Sequence, residues 1–235
     1  MRPRLLDLFC GAGGAAMGYH RAGFDVVGVD IKPQPRYPFE FIQADAMTFP
    51  LEGVDAVHAS PPCQAFSAMK TMPNAKPHDD LLTPTRARLQ AWGGPYAIEN
   101  VEGAPMQNYI TLCGTAFGLG VREANAVLRR HRRFEIRPAP PLFIPPCAHG
   151  APRVIGVYGG HGRDRRRIRP ATVGVGGHSV RDGTQQFSTE ERREAMQISW
   201  MTGAELSQAI PPAYCEFIGK QLLRGLRTSA QAEVG

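Results

Sequence analysis

No apolar run in the 235-residue chain approaches the roughly 18 consecutive residues that a membrane-spanning helix requires. No membrane segment is expected. The start, Met1-Arg2-Pro3-Arg4, leads straight into a strand pattern with no small-residue cleavage site behind it, so a secretory leader is not expected either. The sequence has no Cys-x-x-Cys pair. Its five cysteines, at positions 10, 63, 113, 147 and 215, are odd in number and scattered. That excludes a disulfide-stapled secreted scaffold and points to a reducing compartment, the cytoplasm. Cys147-Ala148-His149 with His161 offers ligand types but not four ligands at zinc-like spacing, so no metal is expected.

Lysine is scarce. Of 27 cationic residues only four are lysine, Lys32, Lys70, Lys76 and Lys220. The rest are arginine, and fifteen of these fall between Arg122 and Arg193. The net charge is +6. A basic surface concentrated in the second half of the chain points to a polyanionic partner. Arginine's planar fork suits phosphates and guanine edges better than lysine's point charge, which favours nucleic acid.

The length suits one α/β domain with a small appendage. Leu5-Leu6-Asp7-Leu8-Phe9 reads as a short apolar strand, Cys10-Gly11-Ala12-Gly13-Gly14 as a turn, and 15–22 as a helix. Strand, glycine turn and helix together are the geometry of a nucleotide-like cofactor, since glycines let a ligand approach the backbone at a helix N-terminus. A second strand ends at Asp30 and a third, Phe39-Glu40-Phe41-Ile42, leads to Asp45. Carboxylates at such strand ends take ribose hydroxyls or act as turn caps. The apolar run 54–59 then stops at Ser60-Pro61-Pro62-Cys63-Gln64. Two prolines fix the backbone and remove two donors. They leave Cys63 at a rigid strand exit, either as a nucleophile or as a buried structural thiol.

Three motifs now combine. Asp7-Leu8-Phe9-Cys10-Gly11-Ala12-Gly13-Gly14, Pro61-Pro62-Cys63-Gln64-Ala65-Phe66-Ser67 and Glu99-Asn100-Val101 occur in that order. In order and spacing they resemble the signature motifs of the DNA cytosine-5 methyltransferases. The likeness resumes at Arg129-Arg130-His131-Arg132-Arg133-Phe134 and at Ala209-Ile210-Pro211-Pro212-Ala213-Tyr214. It covers nearly everything outside about 138–188 and is similar to the compact bacteriophage versions. The resemblance implies a Rossmann-like, doubly wound α/β methyltransferase sheet with a small loop-rich target-recognition insert. The division it implies is a catalytic and cofactor domain at 1–137, a recognition region at 138–188, and C-terminal helices at 189–235 that return to the catalytic domain.

By the same resemblance Cys63 adds to C6 of a flipped-out cytosine in duplex DNA. Glu99 meets N3, and an arginine pair, Arg130 and Arg132 or one register later Arg133, meets O2. S-adenosylmethionine is the implied cofactor. Phe9 stacks on its adenine, Gly11, Gly13 and Gly14 approach its methionine part, Asp30 binds the ribose, Asp45 the adenine amino group, and Pro62 lines the sulfonium. The implied DNA contacts are Gln64, Ser67, Lys70 and Lys76 around the nucleophile. Arg163, Arg165, Arg166 and Arg167 join them from the insert, which at about 50 residues suits a short target. A monomer is expected. The family's closing Gly-Asn is Gly219-Lys220 here. Lys220 either points to solvent or a carboxylate, or accommodates a carboxylated S-adenosylmethionine, which would make carboxymethylcytosine. An RNA cytosine-5 methyltransferase shares the chemistry. A nicotinamide oxidoreductase shares only the glycine turn, and a silent DNA-binding protein would not need Cys63 and Glu99.

Overall fold

Val26, Val27 and Val29 are all buried in one strand, which is what a sheet covered on both faces demands of its sequence. The computed structural model describes residues 1–66, 78–139, 144, 146–150, 153–158 and 187–232, with side chains in the last helix through 226. Its main sheet is built from β1 (Arg4–Leu8), β2 (Asp25–Asp30), β3 (Glu40–Gln43), β4 (Ala56–Ala59), β5 (Tyr96–Asn100), β6 (Tyr109–Leu112) and β9 (Arg132–Arg137). These seven strands lie in the order β3-β2-β1-β4-β5-β9-β6. The first five run parallel, and β9 enters antiparallel between β5 and β6. The order reverses between β1 and β4, the switch point where open α/β sheets bind ligands at strand C-termini. This is the Rossmann-like doubly wound sheet implied by the motifs.

Side chains alternate between two cores. Leu5, Val26, Ala56, Ala97 and Phe134 face α1 (Gly14–Ala22) and the C-terminal α5 (Pro212–Ala232). Leu6, Val27, Val57 and Ile98 face α2 (Leu82–Trp92). Helix α5 lies along α1, and the approach is close: a Cβ on Gly18 would strike the carbonyl of Pro212. A smaller sheet comprises β7 (Gly120–Val121), β8 (Ala126–Leu128) and β10 (Arg153–Ile155), ordered β10-β8-β7. Helix α3 (Thr189–Met196) packs on it. A capping box starts the helix, with the Ser188 side chain accepting from Glu191 N–H and the Glu191 carboxylate accepting from Ser188 N–H. A second capping box, Thr202 with Glu205, starts α4 (Gly203–Gln208), an element not anticipated.

Strand β9 has a buried anchor. Arg86 of α2 grips Glu135 through two bonds, at 2.8 and 2.6 Å, and also donates to the carbonyl of Pro105. The backbone N–H of Gln107 donates to the same carboxylate. Removing one partner of a buried pair strands the other. Glu135→Ala is therefore expected to cost about 3–5 kcal/mol of stability, read as a lowered urea midpoint; a loss below about 1 kcal/mol would assign the pair to a surface-like environment.

Candidate active site at the β1/β4 switch point

The glycine turn forms where β1 ends. Phe9, Gly11 and Gly13 all have left-handed backbones, with φ of 55°, 49° and 84°. Gly13 is the N-cap of α1. A Cβ on Gly11 would meet no atom within 4 Å, so the turn has open ground above it. Asp30, leaving β2, is half-buried. Its carboxylate accepts from the N–H of Gly11 at 3.1 Å and of Lys32 at 2.9 Å. The Trp200 indole donates to the Ala12 carbonyl at 2.8 Å, tying the C-terminal segment to the turn. Beneath lies Asp7, fully buried, with one carboxyl oxygen unpartnered. Burial and the neighbouring Asp30 hold its carboxyl well above the usual range, partly offset by Tyr37. Open left-handed backbone next to a strand-end carboxylate fits an adenosine-type group carrying a methionine part. Asp45 is exposed, and its side chain accepts from the N–H of Met47 in the turn after β3.

The nucleophile candidate stands across the switch point. Strand β4 ends at Ala59, Pro61 is buried, and Pro62 and Gln64 flank a half-buried Cys63. The Asn100 amide at the end of β5 donates to the Pro61 carbonyl at 3.1 Å, while its oxygen accepts from Val101 N–H. That holds the Pro-Pro-Cys loop to the neighbouring strand. Burial and the nearby Glu99 carboxylate push the Cys63 thiol up; Arg132 and Arg130 oppose them.

Glu99, one residue before Asn100, is 7% exposed. Its carboxylate accepts from Arg132 Nε at 2.8 Å, and its pKa is raised because burial outweighs Arg132, Arg130 and the Ser60 hydroxyl. Behind Ser60 runs a buried polar chain. His58 Nε2 lies 2.8 Å from Ser60 Oγ, and His58 Nδ1 lies 2.9 Å from the Tyr19 hydroxyl. Burial alone lowers the His58 pKa to about 3, so the ring is neutral and one nitrogen donates while the other accepts. With Glu99 ionised, Ser60 donates to it, His58 to Ser60 and Tyr19 to His58. With Glu99 protonated, every donor can reverse. The chain thus accommodates both charge states of Glu99. Tyr19, His58 and Ser60 were not singled out from sequence, because a histidine and a serine in an apolar strand run carry no spacing signal.

The arginine pair divides. Arg132 reaches Glu99, but Arg130 is wholly buried and its guanidinium donates to the carbonyls of Val157, Ser207 and Ala209. It clamps the segment after β10 and the end of α4, and reaches the site through its field rather than a contact. Arg133 stacks over the Tyr109 ring, 4.3 Å from its centroid. Lys220 is exposed on α5 and donates to Glu216 at 2.6 Å. Phe9, Gly11, Gly13, Gly14, Asp30, Pro62, Cys63, Glu99 and Arg132 thus share one sheet edge. Ser67, Lys70, Lys76, Arg163, Arg165, Arg166 and Arg167 lie outside the described residues, as does His161. Among the described residues, Cys147 and His149 meet Cys113 and His131 in space, although no sequence spacing joins them. A cleft lined by Gly93, Tyr96, Arg137 and Gln221 opens at the start of β5 and touches none of the Cys63–Glu99 residues.

The family model for C-5 cytosine-specific DNA methylases matches residues 3–104. No curated protein matches the chain by sequence. Among solved structures the chain is similar to a DNA modification methyltransferase encoded within an E. coli prophage (TM-score 0.59, 15% identity, covering 96% of this chain and 99% of that one). It is also similar to the S. pombe Dnmt2 methyltransferase (0.58, 15%, 96% and 99%) and to a Spodoptera frugiperda DNMT2 mutant (0.56, 15%, 94% and 99%). At these identities the likenesses establish the shared methyltransferase fold.

Proposed function

We propose, from the match of residues 3–104 to the C-5 cytosine-specific DNA methylase family model, that the chain is a member of that family and methylates C5 of a cytosine flipped out of a short duplex DNA target. The observation that carries this reading is the Cys63–Glu99–Arg132 constellation, at the same sheet edge as the glycine turn and Asp30. Phe9, Gly11, Gly13, Gly14, Asp30, Asp45 and Pro62 are the residues that would hold S-adenosylmethionine. When bound, that cofactor supplies an electrophilic methyl group on a sulfonium.

Cytosine C5 becomes nucleophilic only after a group adds at C6, and Cys63 supplies that group. Burial and the Glu99 carboxylate resist charge on the Cys63 thiol, and burial resists charge on Glu99 itself. Moving the Cys63 proton to Glu99 leaves the net charge unchanged. Glu99, now neutral, stops opposing the thiolate and donates its proton to cytosine N3, while Arg132 and Arg130 favour the sulfur's charge. The S–C6 bond forms as ring electrons move toward C5. After methyl transfer the C5 proton passes to water, the S–C6 bond breaks with its electron pair returning to sulfur as thiolate, and N3 returns its proton to Glu99. Arg132, fixed by its Nε bond, orients Glu99 and offers its remaining donors to O2. Flipping the base out costs a few kcal/mol. Polar and cationic residues on the nucleophile loop and in the insert (Ser67, Lys70, Lys76, Arg163, Arg165, Arg166 and Arg167, with Gln64) are proposed to hold the strands. The Lys220–Glu216 pair, exposed on a helix surface, supports plain methyl rather than carboxymethyl transfer.

The test is trapping on duplex DNA carrying 5-fluorocytosine in varied contexts with S-adenosylmethionine, since fluorine at C5 blocks release of the thiol. A covalent adduct through Cys63, methylated at C5 and absent from Cys63→Ala, is expected. An adduct on RNA but not on DNA would transfer the reading to RNA, and none on either would overturn it.

A further inference from the structure

We propose that Cys113, His131, Cys147 and His149 form a zinc site that staples the segment after β9 to the catalytic sheet. One ligand atom from each of the four lies within 4.8 Å of every other. Cys113 Sγ is 3.5 Å from His149 Nε2, and Cys147 Sγ is 3.6 Å from His131 Nε2. Zinc bonds of about 2.3 Å to sulfur and 2.0–2.1 Å to nitrogen, at tetrahedral angles, put S and N about 3.5–3.6 Å apart. Two thiolates and two imidazoles at that spacing are a donor set selective for zinc over hard cations, which prefer oxygen.

The surroundings fit a ligand set. Glu102 Oε2 lies 3.3 Å from His131 Nδ1, so a proton on Nδ1 leaves the Nε2 lone pair toward Cys147. Carboxylate–histidine pairs of this kind orient metal ligands. The Thr115 hydroxyl donates to Cys113 Sγ at 3.3 Å, and its oxygen accepts from Ala148 N–H at 3.2 Å. Thr115 thereby binds both halves of the cluster. Cys113 follows β6 and begins the short 3₁₀ helix Gly114–Phe117, while His131 immediately precedes β9. These two are framework ligands. Cys147 and His149 are exposed and come from the loop beyond β9. A hydrogen-bonded pair of exposed residues would give that loop little hold, whereas a metal would lock it to the strand that carries Arg132. The ligands are spread over 37 residues, from 113 to 149, which is why no zinc-finger spacing appears.

The experiment uses the full chain, expressed without a polyhistidine tag in zinc-supplemented medium and purified with reduced thiols and no chelator. Elemental analysis is expected to find one zinc per chain. Replacing it with cobalt(II) is expected to give the thiolate charge-transfer and intense visible bands of a tetrahedral sulfur–nitrogen site. Cys113 is buried and its loss could unfold the chain, so the deciding variants are Cys147→Ser and His149→Gln. Each is expected to weaken zinc at least tenfold in chelator competition while circular dichroism stays native. Glu102→Gln is expected to keep the stoichiometry but weaken affinity by about 10–100-fold, and Cys63→Ala to change neither. No retained zinc and no cobalt spectrum in the reduced, folded protein would overturn the proposal. So would zinc that survives unweakened in both Cys147→Ser and His149→Gln.

Discussion

Arg132→Ala is expected to lower kcat for methyl transfer by about 10²–10³-fold, the usual loss when one fixed donor to a developing charge is removed. Two effects of the substitution act in the same direction. Glu99 loses its 2.8 Å partner and with it the orientation of the acid. Cys63 loses the largest of the influences that favour its thiolate. Arg132→Lys is expected to recover little, because an ammonium cannot reproduce the Nε bond while leaving donors for O2. The effect on stability has a defined sign. Glu99 already titrates above the ordinary carboxylate range, and losing Arg132 raises it further. A carboxyl whose folded pKa is raised is favourable when protonated, so the variant holds its stability at low pH. It loses stability, relative to wild type, as pH rises through the raised value. Urea denaturation at acidic and mildly alkaline pH measures this. A variant that keeps wild-type kcat, or whose stability deficit shrinks as pH rises, would remove Arg132 from the mechanism.

The glycine-turn half of the candidate site is legible in the sequence because its geometry is local. The glycine turn, Asp30 and the Pro-Pro-Cys exit each lie within one strand end, and β1 to β5 follow one another as apolar runs in parallel order. Helix α3 carries a local signal too, a capping box that spans only Ser188 to Glu191. Beyond β5 the signal fails. Strand β9 reads Arg132-Arg133-Phe134-Glu135-Ile136-Arg137, a charged stretch that periodicity assigns to a surface. It is nonetheless internal, because Arg86 neutralises Glu135 and Glu99 neutralises Arg132, both from distant segments. Strands β7, β8 and β10 have two or three residues each, too short to show alternation. Resemblance treated Arg130 and Arg132 as a pair. Spacing could not reveal that Arg130 is committed to three backbone carbonyls, two of them nearly 80 residues away in sequence. The cysteine–histidine cluster was illegible for a related reason: His131 belongs to an arginine run, and its companions converge only once β6 and β9 pair.

Glu99→Gln is expected to reduce kcat/KM by about 10²–10⁴-fold, the range for loss of a positioned general acid, and to change the shape of its pH profile. In wild type the Cys63–Glu99 pair must have lost one proton overall. Activity therefore rises through the raised pKa of Glu99 and falls through the raised pKa of Cys63, and both values belong to the pair. An amide at this position removes the first step. The acid limb at the Glu99 value disappears, and the residual rate climbs with pH toward ionisation of the thiol alone. Ser60→Ala separates this account from a purely steric one. The Ser60 hydroxyl supports the ionised carboxylate, so its loss raises the Glu99 pKa and moves the acid limb to higher pH, with no change in the residues that touch the base. It also cuts Glu99 off from His58 and Tyr19, so the variant's limb should no longer respond to Tyr19→Phe, whereas the wild-type limb should. An acid limb that stays put in Ser60→Ala, or survives unchanged in Glu99→Gln, would assign the titration to another group and leave Glu99 as a partner of Arg132 alone.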